Sequence, residues 1–295
     1  MAWRGLHLSQ PSRLSLADAQ LVIEQADGAV RLPIEDVAWL VFDTPQATIT
    51  SALLSACMDG GVVVISTDAT HLPNGVMLPF HGHHRQADVA RRQVAMGEPL
   101  KKRLWQTIIR RKIANQAAVL SSRGLDGADT LAEMARYVGS GDPENTEARA
   151  ARHYWHCLFC QFRRDDEADR RNKLLNYGYA IARSAIGRAL VANGLLPAFG
   201  LHHASVTNAF NLADDLLEPF RPFVDMLACT HSEDKKQSEL TLTDRRGMAG
   251  SLLVEVRMGN ETMTLLAATE LASSSLVRAI LANDATAMVL PSLLP

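Results

Sequence analysis

In the first 80 positions the apolar residues fall in short, β-branched runs. Leu21-Val22-Ile23, Val37-Ala38-Trp39-Leu40-Val41-Phe42 and Val62-Val63-Val64-Ile65 are separated by turn signals at Ala26-Asp27-Gly28, Asp43-Thr44-Pro45 and Asp59-Gly60-Gly61. One helix is predicted over 48–58, with Leu53, Leu54 and Cys57 on one side. Pro73-Asn74-Gly75 reads as a last hairpin turn, and Pro79-Phe80-His81-Gly82 as an exit linker. From about residue 86 the period becomes helical: Leu104, Trp105, Ile108, Ile109, Ile113 and Ala117 form a buried stripe. Lys101, Lys102, Arg103, Arg110, Arg111 and Lys112 lie around and opposite it.

Further helices are predicted over 129–138 and from Asp142-Pro143, with Asp as N-cap and Pro at the first helical position. The latter carries Glu147, Ala151, Tyr154, Trp155 and Leu158. A long helix over 172–193 is rich in Gly, Ala and Ser, so its neighbours can approach closely, and Gly194 closes it. A helix over 212–217 follows, and the last 55 residues read as helical apart from a strand over 252–256. The fold class is α+β with two domains. A small β-rich, β-sandwich-like N-terminal domain (1–80) leads through a linker and first helix (81–98) to a larger all-α catalytic domain (99–295).

Composition adds limits. At 295 residues, 47% apolar and 21% charged, the chain is an ordinary globular one of two domains or one large one. The longest apolar runs, such as 61–66, fall far short of the roughly 20 residues that span a bilayer, and MAWRGLHLSQ lacks an export signal. The expectation is a soluble, cytoplasmic protein with no membrane partner. Its four cysteines make no disulfide framework. The net charge of −2 conceals a division: residues 1–80 carry three Arg and eight acids, while 81–125 carry ten Lys or Arg and two acids. The second segment reads either as the solvated face of a helix with one buried stripe or as a contact for DNA, with Lys102, Arg103, Arg110, Arg111 and Lys112 as the candidates for the latter.

Candidate chemistry gathers at Glu147, His202-His203 and the acids Asp214, Asp215 and Glu218. On a helix Asp215 and Glu218 project from one face. Carboxylates with one imidazole suit Mg²⁺ or Mn²⁺, although spacing alone favours a solvated acidic helix beside a loop. Cys157 and Cys160 form a C-x-x-C on an apolar helix with no second pair, which reads as packing. His81, His83 and His84 read as an interdomain loop. P-loop, G-x-G-x-x-G, G-x-S-x-G and H-E-x-x-H patterns are absent, so nucleotide hydrolysis and the commonest hydrolase schemes lose support.

The segments Asn176-Tyr177-Gly178-Tyr179, Gly200-Leu201-His202-His203 and NLADDLLEPFRP from Asn211, together with Glu147, resemble the CRISPR-associated spacer integrase family, in its type II form. The resemblance spans the chain. It implies a Mg²⁺ or Mn²⁺ site of Glu147, His203 and Glu218, with Asp215 at or beside the metal and His202 as an alternative ligand. It further implies metal-dependent endonuclease and transesterase chemistry that joins the 3′-OH ends of short foreign DNA fragments into a CRISPR repeat, in antiviral defence. The partners implied are double-stranded DNA, a second copy of this chain through the β-rich domain, and a small ferredoxin-like adaptation protein in a heterohexameric complex. The type II effector nuclease is a further implied partner. Two other readings share these residues: a stand-alone metal-dependent branched-DNA nuclease of repair, and a non-catalytic DNA-binding scaffold.

Overall fold

The computed structural model describes residues 4–80, 83–232 and 239–294. Its N-terminal part is built from β1 (Arg4–Leu8), β2 (Ser12–Ala17), β3 (Gln20–Gln25), β4 (Gly28–Pro33), β5 (Val37–Phe42), β6 (Ala47–Ile49), helix α1 (Ser51–Asp59), β7 (Val63–Thr67) and β8 (Pro73–Met77). These form two sheets, ordered β1-β5-β7-β8 and β4-β3-β2-β6. In the first sheet β1, β5 and β7 run parallel and β8 antiparallel. The second is an antiparallel β2-β3-β4 meander with β6 parallel to β2. Leu8, Leu14, Leu21, Leu40 and Val64 fill the space between the sheets, closed by Leu53 and Cys57 of α1.

The first sheet is covered on both faces. Ala38, Trp39, Val41, Val63 and Ile65 point away from the sandwich and belong to the core of the helical part. This explains why β5 and β7 read as unbroken apolar runs: a sheet buried on both sides has no polar face to alternate with. The two parts of the chain therefore share one packed boundary. A buried carboxylate, Asp43, ties it further, accepting from Arg245 Nε at 2.8 Å and lying 2.7 Å from His71 Nδ1.

Several predicted boundaries move. The first helix starts at Ser51, capped by the Thr50 side chain, while Ala47–Ile49 pairs as β6. The β-branched Thr48, Ile49 and Thr50 favour extended backbone over a helical turn. Pro73-Asn74-Gly75 lies inside β8, and the chain reverses before it, where Asp68 Oδ1 accepts from Thr70 N and Leu72 N. In the C-terminal region the strand lies over Glu255–Met258 and forms a hairpin with Glu261–Thr264; residues 250–253 form a 3₁₀ turn instead.

The helical part comprises α2 (Gln86–Val94), α3 (Glu98–Ser122), α4 (Ala128–Tyr137), α5 (Thr146–Leu158), α6 (Arg170–Ala192), α7 (Asn211–Leu217), α8 (Arg221–His231), α9 (Leu242–Ala249), the hairpin β9 (Glu255–Met258) and β10 (Glu261–Thr264), and α10 (Leu265–Ala282). The core therefore includes this small hairpin and is not purely α. Helix α6 runs through its centre, and its small residues perform as expected. A Cβ on Gly178 would stand 2.5 Å from Val224 Cγ1 and 2.7 Å from Met248 Cε, so α8 and α9 pack against bare backbone there. Helix α10 is long and apolar enough to cross a membrane, but half of it is buried against the rest of the chain, and Glu270 pairs with Arg188 of α6. Of the HGHH run, His81 lies outside the described residues.

Candidate active site

Glu147 sits in the first turn of α5. That helix does not start at Asp142-Pro143 as its sequence suggests: Asp142 adopts φ 49° and the first helical residue is Thr146. The Asp142 carboxylate still caps the helix, because its two oxygens accept from Thr146 N and Glu147 N, each at 2.9 Å. The capping anion is thus carried by a loop that folds back under the helix end. This fixes the backbone from which Glu147 projects.

Glu218 follows α7 in a short 3₁₀ turn, Glu218–Phe220, that leads into α8. Asn115 of α3 holds this turn by donating to Pro219 O at 2.8 Å and to Pro291 O at 2.9 Å. The two glutamates meet at one point. Lys112 Nζ of α3 lies 2.5 Å from Glu147 Oε1 and 2.5 Å from Glu218 Oε2. Arg221 Nε adds 2.8 Å to Glu218 Oε1. Burial opposes ionisation of Glu218, but Arg221 and Lys112 outweigh it and hold the carboxyl down at about 2. A cleft of about 220 Å³ opens onto this group, lined also by Gln116, Trp155, Arg164, Tyr179 and Asp225.

Lys112 is therefore not part of the outward basic face. It is buried, and burial alone would lower its pKa, yet Glu218 and Glu147 raise it. Arg110 is also committed in part, donating to Val138 O at 2.9 Å at the end of α4. Lys102 and Arg103 are exposed, and Arg111 is half-buried with its pKa lowered by burial.

His203 belongs to the loop between α6 and α7, which wraps around a single carboxylate. Asp215 is fully buried and accepts from Leu201 N at 2.5 Å, from His202 N and His203 N at 3.1 Å each, and from His203 Nδ1 at 2.7 Å. Since a carboxylate only accepts, Nδ1 carries the proton and Nε2 is left as the lone-pair nitrogen. Gly200 makes the wrap possible: a Cβ there would collide with His203 O and stand 2.7 Å from Asp215 Oδ2. The hydrogen bond to Asp215 raises the His203 pKa against the effect of burial, with further help from Glu218 and Asp214. His202 takes a different place, stacked on the Trp105 ring at 4.3 Å. Asp214 pairs with Arg183 at 2.6 Å.

The structure thus brings Glu147 and Glu218 together on Lys112, while His203 is held in a separate contact with Asp215. Among the described residues, however, no three of the His, Cys, Asp and Glu side chains stand close enough to hold an ion together. Lys112 fills the space between the carboxylates, and Asp215 spends its oxygens on the loop. The donor set still suits a hard divalent ion: two carboxylate oxygens, each 2.5 Å from one nitrogen, converge on one cation. Cys157 and Cys160 are both free, and Cys157 packs beside the core.

Behind the glutamates lies a buried Asp225, which accepts from Tyr154 at 3.0 Å and from Tyr179. Burial raises its pKa to about 7, against the two tyrosine hydrogen bonds. A folded-state pKa above the ordinary value means that the native protein holds this proton where the unfolded chain has released it. The contribution is full below pH 4 and is lost as pH rises toward 7. Between pH 5 and 8 the parent should lose about 2–3 kcal/mol relative to Asp225→Asn. Urea melts of both proteins at the two pH values check this, and parallel pH dependence would refute it.

The residues that support the glutamates carry a signal of their own in the sequence. Lys112, Asn115 and Gln116 are polar positions at i, i+3 and i+4 within α3, and all three are buried. A polar stripe at helical spacing on a core helix marks a buried polar site, and the basic character of the surrounding segment masks it.

Comparison with known proteins places the chain. The family of CRISPR associated protein Cas1 matches residues 6–257. The CRISPR-associated endonuclease Cas1 of Neisseria meningitidis is 38% identical over 298 residues, covering 100% of this chain and 98% of that protein. One Cas1 of Pyrobaculum aerophilum is 29% identical, over 72% of this chain and 77% of the relative. Among solved structures, a casposase bound to integration product superposes with TM-score 0.77 at 18% identity, covering 96% of this chain and 93% of the other. A Cas1 protein from Thermotoga maritima gives TM-score 0.69 at 16% identity, covering 94% and 97%. The chain belongs to the Cas1 family.

Proposed function

We propose that this chain is a metal-dependent DNA endonuclease and integrase that joins 3′-OH ends of short DNA fragments to a CRISPR repeat. The observation that carries this reading is the convergence of Glu147 and Glu218, from separate helices, on one cation in an open cleft. Family membership supplies the substrate class. Glu147, Glu218 and the Nε2 of His203 would hold Mg²⁺ or Mn²⁺. When bound, the ion supplies charge neutralisation at a phosphodiester oxygen.

The chain's own residues do the positioning. Asp142 and Asn115 fix the backbones that carry the two glutamates, and Asp215 fixes the ring of His203. Arg164 and Arg221 line the same cleft and would contact the oxygens of a phosphodiester placed there. Strand transfer asks little else of a protein than such placement of a 3′-OH in line with the phosphorus. The small adaptation protein and a second copy of this chain complete the assembly in this reading, and the presence of Cas2 in the complexes of structurally similar Cas1 proteins supports it.

Incubation of the purified protein with Mn²⁺ and a branched DNA resembling a half-integrated fragment tests the reading. The parent should resolve the branch and Glu147→Ala should not. Branch resolution by both proteins would refute the assignment of the site. The DNA-binding face is tested separately by salt dependence. Replacing Lys102, Arg103 and Arg111 by Ala should reduce the slope of log K against log salt by about 2–3, near 0.9 for each phosphate no longer neutralised. An unchanged slope would make this a solvated face only.

A further inference from the structure

Lys112 is set apart from the other basic residues of α3. Its side chain is 8% exposed, against 26% for Lys101, which pairs with an exposed glutamate one turn away. No acid other than Glu147 and Glu218 contacts Lys112 among the described residues. One more neighbour matters: Glu218 Oε2 is buried and, although it forms this ion pair, makes no directed hydrogen bond. An ammonium touching two carboxylates without a good hydrogen bond to one of them is acting as a point charge. A divalent ion would bring twice the charge to the same two oxygens and needs no hydrogen-bond geometry from them. The Lys112 ammonium stands 2.5 Å from both oxygens, so an ion held by the same pair would have to take the place the ammonium now fills.

We propose that Lys112 is the resident counter-cation of the Glu147–Glu218 pair, and that a divalent ion enters by displacing it from between the two carboxylates. This rests on the metal reading of the site given above. The ammonium keeps two buried anions together and neutralised in the ion-free protein, and it lowers the affinity for the metal by competing for the same oxygens. The stem of Lys112 remains anchored in α3, so the displaced charge stays in the cleft beside Arg164 and Arg221.

Mn²⁺ titration of the full chain, with free Mn²⁺ read by electron paramagnetic resonance, separates the possibilities. Lys112→Met should bind Mn²⁺ at least tenfold more tightly than the parent. It should also melt at lower temperature without metal and recover more on adding Mn²⁺ than the parent does. Unchanged or weaker Mn²⁺ binding by this variant would overturn the proposal. A parent that binds no Mn²⁺ would overturn the metal reading itself, and the exchange with it. If Lys112→Met does not fold, crystals of the parent soaked in Mn²⁺ decide. The Lys112 ammonium should have left at least one carboxylate; an ion bound with Lys112 still between both would refute displacement.

Discussion

Glu147→Ala should fold and melt close to the parent while joining DNA strands at least about 10³-fold more slowly in Mn²⁺. Glu218→Ala should lose the reaction and much of its stability together. The two glutamates share a cation but not an environment. Glu147 is partly exposed at 29% of its side chain, and its removal leaves Lys112 paired with Glu218. Glu218 is buried and holds Lys112 on one oxygen and Arg221 on the other. Removing it takes the carboxylate from Arg221 and leaves buried Lys112 with Glu147 alone, and breaking a buried pair in this way costs about 3–5 kcal/mol. For a chain of this size that corresponds to a melting temperature lower by roughly 5–10 °C. Glu218→Gln keeps the shape and should recover part of the stability but none of the activity. Strand-transfer rates beside thermal melts measure both effects. A Glu218→Ala protein as stable as the parent would show that the buried pairing is energetically idle.

Asp215→Asn should lower strand transfer by about 10–100-fold and destabilise the protein by about 2–4 kcal/mol. Asp215 accepts four hydrogen bonds, three from the backbone N–H groups of residues 201–203 and one from His203 Nδ1. Asparagine has nearly the same shape, but its amide nitrogen is a donor and would face donors. Hydrogen bonds to a buried charge contribute about 1.5–3 kcal/mol each, so losing part of this set is costly. The effect on rate comes through His203, whose ring orientation and tautomer depend on that carboxylate, and loss of such a partner typically weakens a metal site by this factor. Rates, Mn²⁺ affinity and urea melts of the variant are the measurements. A variant with full activity would mean that the loop holds His203 without Asp215. In that case the wrap around Gly200 is packing alone.

The alternation and turn chemistry of the first 80 residues placed the strands because each depends on neighbours a few positions away. The runs at 37–42 and 62–65 are β5 and the start of β7, and the turn at Asp27-Gly28 joins β3 to β4. The buried stripe of α3 from Leu104 to Ala117 is also as its spacing predicts. Local signals misled where a longer-range contact outweighed them. Asp142-Pro143 has the residues of a helix start, yet the chain needs three more residues before α5 begins, and the aspartate caps from outside the helix. Pro73-Asn74-Gly75 has the residues of a turn but is held extended by pairing with β7.

By itself the sequence determined a β-rich part followed by a helical one and the family to which the chain belongs, and the resemblance to that family implies the positions Glu147, His203 and Glu218. Strands, helices and motifs are written in short spacings, and these were enough. Which groups stand beside those positions was decided only in three dimensions. Lys112 and Glu147 are 35 residues apart, and Asn115 and Pro219 are 104 apart. A helical wheel places Lys112 among outward arginines, because a period of 3.6 residues says which side of a helix a residue occupies but not what lies across from it. The packing of α3 against α5 and the turn after α7 puts that side indoors. Two carboxylates meet there, and the interior, where charge cannot be left unpaired, makes Lys112 their counter-ion.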